Sequence, residues 1–137
     1  MDGASQILPG THAAVTRVVG GADTASALGS GSLAVLGTPR LLAWCEEATC
    51  LALTGLLPAG ATSVGTSVRL DHLAASSVGH RVTVRAEVTA TDGQRLTFRV
   101  EATDAVGRVL GRGTVERVVV DTERFLGRLG ADHRPRT

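Results

Sequence analysis

The stretch Thr38–Gly55, TPRLLAWCEEATCLALTG, carries the strongest structural signal in the chain. Threonine is a good helix N-cap, proline is favoured at the first helical position, and glycine commonly follows the last turn. At about 100° per residue, one continuous apolar face is formed by Leu41, Leu42, Cys45, Ala48, Thr49, Ala52, Leu53 and Leu56. The sequence therefore predicts one long amphipathic helix, capped at Thr38 and stopped at Gly55.

Two adjacent glutamates of this helix differ in their predicted surroundings. Glu46 falls at the edge of the apolar face, beside Leu42 and Leu53, whereas Glu47 falls on the polar face with Arg40. We therefore expect Glu46 to be drawn towards the core and Glu47 to be solvated.

Strand patterns lie on both sides of the helix. A short strand is predicted for residues 13–19, and four more for residues 64–72, 82–90, 96–102 and 108–120. Asp92-Gly93 is a strong hairpin turn, while Gly111 and Gly113 indicate a bulge or a close approach. The inner face of the second strand is predicted to consist of Val64, Thr66, Val68, Leu70 and His72. One helix on one face of an antiparallel sheet is an α+β arrangement.

The remaining segments have weaker patterns. At 137 residues the chain fits a single domain, with loose termini expected at residues 1–10 and 126–137. Residues 20–37 are rich in Gly, Ala and Ser. They are predicted to form a mobile, lid-like loop before the helix, with a helical turn around residues 33–36.

Composition excludes several classes of function. The net charge of +1 gives no basic field for nucleic acid, and the absence of lysine excludes Schiff-base and P-loop chemistry. No signal peptide or membrane span is recognisable, so a cytoplasmic protein without membrane association is expected. The histidines and cysteines do not form a metal-ligand spacing. Cys45 and Cys50 are predicted to be free, mostly buried thiols.

Three residues could carry acid–base chemistry. Glu46 and His72 are both predicted on inner faces, where a carboxylate and an imidazole could form an acid–base pair. Thr38 adds a hydroxyl at the helix N-terminus, where negative charge is favoured. Each also has a simpler interpretation: an exposed helical glutamate, a hydrogen-bonded core or strand-end histidine, and a plain N-cap threonine.

The sequence resembles the fluoroacetyl-CoA thioesterase family of hotdog-fold thioesterases. The resemblance runs from about Thr38 to Phe125, through the matching stretches 38–48, 65–72 and 111–117. It places the family's catalytic threonine, glutamate and histidine on Thr38, Glu46 and His72.

The resemblance implies a hotdog fold that hydrolyses an acyl-CoA or other acyl thioester, without metal or organic cofactor. It also implies a homodimer with sheets joined edge to edge, and a substrate-binding role for the backbone N–H of Gly65. The family's phenylalanine-bearing lid corresponds here to Gly29-Ser30-Gly31-Ser32-Leu33-Ala34. We therefore expect a broader or larger acyl group than fluoroacetyl. A non-catalytic acyl-thioester-binding hotdog dimer and a hotdog dehydratase or isomerase are the alternatives.

Overall fold

The central helix and a five-stranded sheet dominate a computed structural model that describes residues 6–132. Within that range the strands are β1 (His12–Val18), β2 (Ala61–His72), β3 (Arg81–Asp92), β4 (Arg95–Asp104) and β5 (Val109–Asp121). They pair antiparallel in the order β1-β3-β4-β5-β2, so that β1 and β2 are the edge strands. The helices are α1 (Ala25–Leu28), α2 (Thr38–Ala52) and α3 (Thr122–Asp132), and a 3-10 turn covers Gly21–Asp23.

The core lies between α2 and the inner face of the sheet, which confirms the predicted α+β class. The fully buried side chains of β3 and β4 were all predicted by alternation: Val82, Val84, Ala86 and Val88 on β3 and Leu96, Phe98, Val100 and Ala102 on β4. Ala90, which the same alternation placed inward, is exposed, because the register with β4 shifts between Val88 and Ala90. The turn at Asp92-Gly93 is also confirmed, because Asp92 pairs with Arg95 and Gly93 has a φ of 60°.

The helix prediction is correct except at its edges. Gly37, not Thr38, is the N-cap, and Thr38 is already helical, so its hydroxyl is free to bond elsewhere. Trp44 is buried although it lies outside the predicted apolar face, whereas Leu56 is exposed. The helix ends at Ala52, and Leu56 therefore lies in the following turn, where helical phase no longer applies.

A β-bulge changes which side chains of β2 face the helix. The register with β5 shifts between Gly65 and Ser67, leaving Thr66 as the extra residue. Before the bulge, Gly65 lies on the inner face opposite the buried Arg117, and after it Val68 lies opposite the buried Val115. The predicted inward direction of Val64 and Thr66 is therefore wrong, because an extra residue reverses the two-residue alternation.

The two glycines predicted to allow a close approach on β5 do so. A Cβ on Gly113 would collide with the backbone oxygen of Arg69, and one on Gly111 would lie 3.1 Å from the backbone oxygen of Asp71. These glycines therefore let β2 and β5 pair closely up to His72.

The lid-like segment, residues 20–37, differs from its predicted form. Its helical turn is α1, whereas residues 33–36 form no helical turn, and Val35 and Leu36 form bridges with Ser77 and Thr24. Asp23 joins the base of the segment to α2 through a 2.9 Å ion pair with Arg40. Residues 28–34 are exposed. Whether this tip moves as a lid stays a prediction.

The chain ends are more ordered than predicted within the described range. Ile7 is 2% exposed and belongs to the core, and the Gly10 N–H donates to the Val88 carbonyl at 2.8 Å. Residues 122–132 form α3, an amphipathic helix, where the sequence predicted a loose terminus from residue 126 onwards. Residues 1–5 and 133–137 lie outside the described residues. In residues 6–132 no helix is both long and apolar enough to cross a membrane.

Candidate active site

Thr38 and His72 meet at one end of the central helix. Thr38 is the first residue of α2, and His72 is the last residue of β2, on the inner face after the bulge. The Thr38 Oγ1 and His72 Nδ1 atoms are 2.8 Å apart, a hydrogen bond whose donor depends on the imidazole tautomer. The predicted inward orientation of His72 is therefore confirmed. We call these two residues the Thr38–His72 pair.

The environment of His72 favours a neutral imidazole. Burial lowers the pKa of His72 from its ordinary value near 6.5, and a backbone hydrogen bond with Ala74 only partly opposes this. The Nε2 atom is buried and has no hydrogen-bond partner among the described residues. A buried nitrogen left without a partner costs free energy, so this atom is suited to exchange a hydrogen bond or a proton with a bound substrate.

Glu46 lies against Gly65. The Glu46 Oε2 atom is 2.5 Å from the position that a Cβ on residue 65 would occupy, so only glycine leaves room for the carboxylate there. The Glu46 side chain is 36% exposed, whereas Glu47 is turned outwards into an exposed ion pair with Arg17. The two glutamates therefore differ in direction, as predicted, but Glu46 is not drawn into the core, because its exposed fraction is close to the 43% of Glu47.

Arg117 is a site residue that sequence reasoning missed. This buried β5 arginine donates from Nε to Ser63 Oγ at 2.9 Å and from Nη2 to the Ser63 carbonyl at 3.1 Å. Its Nη1 lies 3.6 Å from Glu46 Oε2. The available signal was parity, since Arg117 shares the inner face with Val115 and Val119, where an arginine is unusual. We call Glu46, Gly65, Ser63 and Arg117 the Glu46 cluster.

The two groups lie apart within one chain. Thr38 and Glu46 are eight residues apart on α2, which at 1.5 Å per residue places them about 12 Å apart along the helix axis. Gly65 and His72 are likewise seven residues apart on β2, or about 20 Å of strand. The expected acid–base pair of Glu46 and His72 therefore does not form inside a single chain, because α2 and β2 hold them at opposite ends of the site.

A cavity of about 300 Å³ opens beside the Thr38–His72 pair. One wall comes from the lid-like segment, with Ala25, Ser30 and Val35, and the other from the chain after β2, with Ala74 and Ala75. The cavity therefore brings a space lined mainly by aliphatic side chains directly to the unpartnered imidazole.

The two cysteines do not supply a nucleophile at this site. Burial, with a smaller contribution from the charge of Glu46, raises the pKa of Cys45 to about 12, so its thiol stays protonated. Cys50 is free as predicted, but it is exposed rather than buried. No group of three or more His, Cys, Asp or Glu side chains between residues 6 and 132 is placed to hold a metal ion.

The fold recurs in solved structures of the hotdog class. A hot-dog-like protein from Thermanaerovibrio acidaminovorans superposes with a TM-score of 0.89 at 26% identity, covering 99% of this chain and 100% of that one. A Thermus thermophilus protein, a member of the thioesterase superfamily, gives 0.83 at 30% identity, covering 92% and 95%. This chain is therefore a hotdog-fold protein of the thioesterase superfamily.

The family can be stated more closely. The sequence pattern of the fluoroacetyl-CoA-specific thioesterase (FlK) family matches residues 19–123, and the chain belongs to that family. A structure of FlK itself superposes with a TM-score of 0.84 at 32% identity, covering 94% of this chain and 98% of that one. Comparison with curated protein sequences finds no match. The resemblance seen in the sequence is thereby confirmed.

Proposed function

We propose that this protein hydrolyses an acyl-CoA, or an acyl thioester on a carrier protein, to a free acid and a thiol. The observation that carries the proposal is the buried, unpartnered Nε2 of His72, held beside Thr38 at the mouth of a cavity. FlK structures have been determined in complex with acetyl-CoA and with fluoroacetate and CoA. These ligands support an acyl-CoA substrate for a family member.

In the proposed reaction, Glu46 takes a proton from a water molecule whose oxygen attacks the thioester carbonyl. The carbon–sulfur bond then breaks, and the electron pair leaves with sulfur. The thiolate receives the proton by way of Glu46 and His72, which yields one acid and one thiol. Because a thiol has a pKa near 8.5, this leaving group needs little help from an acid. Direct attack by the Glu46 carboxylate, followed by hydrolysis of the anhydride, is the other route that these residues allow.

Thr38 and Gly65 are assigned supporting roles. Thr38 orients the His72 ring through the 2.8 Å hydrogen bond and lies at the N-terminus of α2, where free N–H groups favour developing negative charge. The backbone N–H of Gly65 is assigned to the thioester, close to the Glu46 carboxylate. Arg117, which pairs with Gly65 across the sheet, helps to hold that carboxylate in place.

We further propose a homodimer in which the β2 edges of two chains pair antiparallel. The edge position of β2, in which no residue is fully buried, supports this arrangement. A two-fold axis near residues 68 and 69 would place residue 65 of one chain opposite residue 72 of the other. The Glu46 cluster of one chain would then meet the Thr38–His72 pair of its partner, which overcomes their separation within one chain.

Selectivity for fluoroacetyl is not part of the proposal. The tip of the lid-like segment carries no aromatic side chain, and neither does the cavity wall that the segment forms. The expected acyl group is therefore larger or more varied than fluoroacetyl. A non-catalytic acyl-thioester-binding dimer and a dehydratase or isomerase remain the alternatives, while a cofactor-free reaction and a cytoplasmic location stay predictions.

Adjacent glutamates provide the test of catalysis. Purified wild type, Glu46→Gln and Glu47→Gln are assayed for thiol release from a panel of acyl-CoAs, with product masses recorded. We expect Glu46→Gln to lose about 10²–10⁴-fold in kcat, the usual contribution of a general base. Glu47→Gln is the matched control and should keep wild-type activity. Equal activity of both variants would exclude Glu46, and loss of water without release of CoA would identify a dehydratase.

A further inference from the structure

The cavity beside the Thr38–His72 pair has a definite size and chemical character. Its volume of about 300 Å³ lies at the lower end of the range for small-molecule sites. At about 30 Å³ for each water-sized unit of liquid, this space holds roughly ten non-hydrogen atoms. The cavity is open to solvent at the exposed Ser30 and Ala75, so the part of a longer occupant beyond this volume would lie in water.

The lining favours an uncharged aliphatic occupant. Apart from Thr38, His72 and Ser30, the lining side chains are apolar, and none is Arg, Asp or Glu. An ionised acyl group such as succinyl would therefore find no arginine in the lining to pair with its carboxylate and would lose hydration on entry. Alkyl carbons, in contrast, gain from each methylene removed from water.

The walls of the cavity are held in place by backbone hydrogen bonds. The Leu36 N–H donates to the Ser76 carbonyl at 2.8 Å, which ties the lid-like segment to the chain after β2. A second bond of 2.8 Å, from the Ala25 N–H to the Val35 carbonyl, closes the base of the segment. Because both walls are braced against each other, their side chains set the free length of the cavity.

We infer that this cavity is the acyl-chain site, that it takes an uncharged aliphatic chain of up to about eight carbons, and that Ser30 and Ala75 set its length. The inference rests on the proposed thioesterase function and specifies its substrate class. Ser30 and Ala75 line opposite walls and are exposed, so a larger side chain at either position would fill the cavity without entering the core.

The test measures kcat/KM for acetyl-, butanoyl-, hexanoyl-, octanoyl-, dodecanoyl-, palmitoyl- and succinyl-CoA. Each buried methylene contributes up to about fourfold, so the wild type should favour octanoyl over acetyl by at least about 20-fold. We expect no further gain at dodecanoyl and palmitoyl, because their additional methylenes stay in water, and little activity with succinyl. A preference for acetyl, or for chains of twelve or more carbons, would overturn the inference.

Two cavity-filling variants and one control test whether the preference for octanoyl over acetyl arises in this cavity. Ser30→Phe and Ala75→Phe should each lower the octanoyl-to-acetyl ratio of kcat/KM at least about tenfold, as expected when a pocket loses room for several methylenes. Ala59→Phe, in the exposed turn before β2 and outside the cavity lining, should leave the ratio unchanged. Equal losses for all substrates in both cavity variants would mean that the cavity holds the thiol arm instead.

A binding measurement separates failure of this inference from failure of the proposed function. If the wild type releases no thiol from any substrate, the thioesterase proposal fails, but the cavity is still tested by calorimetry with a non-hydrolysable octanoyl-CoA thioether. We expect Ala75→Phe to weaken octanoyl-thioether binding at least about tenfold and to spare the acetyl thioether. Unchanged binding of the octanoyl thioether by both cavity variants would refute the acyl-chain assignment.

Discussion

Glycine at position 65 is required by the side chain that faces it, not by its own backbone. The Glu46 carboxylate occupies the space of a Cβ at this position, and Arg117 lies 3.5 Å from the same point. Gly65 has no positive φ, so a side chain there would be excluded by crowding alone. At Gly113 the neighbour is the backbone of Arg69, which cannot move aside as a flexible glutamate can.

This contrast yields a prediction for two matched substitutions. Gly65→Ala should displace the Glu46 carboxylate and reduce kcat about 100-fold, since misplacing a catalytic group by about 1 Å has that effect. The free energy of unfolding should change by less than about 1 kcal/mol, because a half-exposed side chain can move. Gly113→Ala should instead lose about 1–3 kcal/mol of stability. Denaturant unfolding and thiol release measure both, and wild-type activity in Gly65→Ala would contradict the assignment.

The lowered pKa of His72 predicts a pH dependence of stability with a definite sign. In the unfolded chain, His72 becomes protonated as the pH falls below its ordinary pKa near 6.5. In the folded chain, the same residue becomes protonated only at a lower pH. The unfolded state therefore binds more protons in that window, and stability falls as pH falls through it. His72→Gln removes this contribution, so the Tm of wild type should drop relative to the variant between pH 7.5 and pH 5. His80→Gln, at an exposed position, is the control.

At the scale of single elements, periodicity predicts a face only while the period is unbroken. Helix α2 is regular from Thr38 to Ala52, so phase alone separated Glu46 from Glu47. Strand β2 contains a bulge at Thr66, so parity was correct for His72 and wrong for Val64. A bulge depends on pairing with β5, which a residue-by-residue pattern does not contain.

Segments of mixed composition were predicted less well for a related reason. Residues 20–37 have little periodicity, and their form comes from distant partners such as Ser76, Ser77 and Arg40. In α3 the apolar spacing was present, but it is short and lies next to the chain end, where a loose tail was expected. Local propensity decides little where a segment is shaped by contacts across the fold.

At the scale of the whole molecule, the separation of the two groups predicts a shared active site. The proposed mechanism predicts that neither the Glu46→Gln dimer nor the His72→Gln dimer is active by itself. In mixed dimers, one site would lack both residues, and the other would have the intact Glu46 of one chain and the intact His72 of its partner. Random mixing makes half of the dimers mixed, so about a quarter of wild-type activity should return. Subunit exchange followed by the thiol-release assay measures this recovery.

A second mixture is the control for that experiment. Thr38→Ala and His72→Gln alter the same hydrogen-bonded pair. In a mixed dimer each Thr38–His72 pair would then carry one defect, so this mixture should recover no activity. Recovery in neither mixture, despite dimers seen by light scattering, would place each complete site within one chain. A monomer in solution would exclude the paired β2 edges.

The sequence by itself determined the α+β class, the extent and phase of the central helix, the alternation of β3 and β4 and the inward direction of His72. These follow from short-range periodicity and from residues with strong backbone preferences. Only the tertiary structure decided that Glu46 lies on Gly65, that Arg117 braces it, and that His72 instead meets Thr38. Those contacts join residues far apart in the chain. They depend on the bulge in β2 and on the antiparallel packing of α2 against β2. A local sequence pattern contains neither the bulge nor the packing direction, because both arise when the elements pack together.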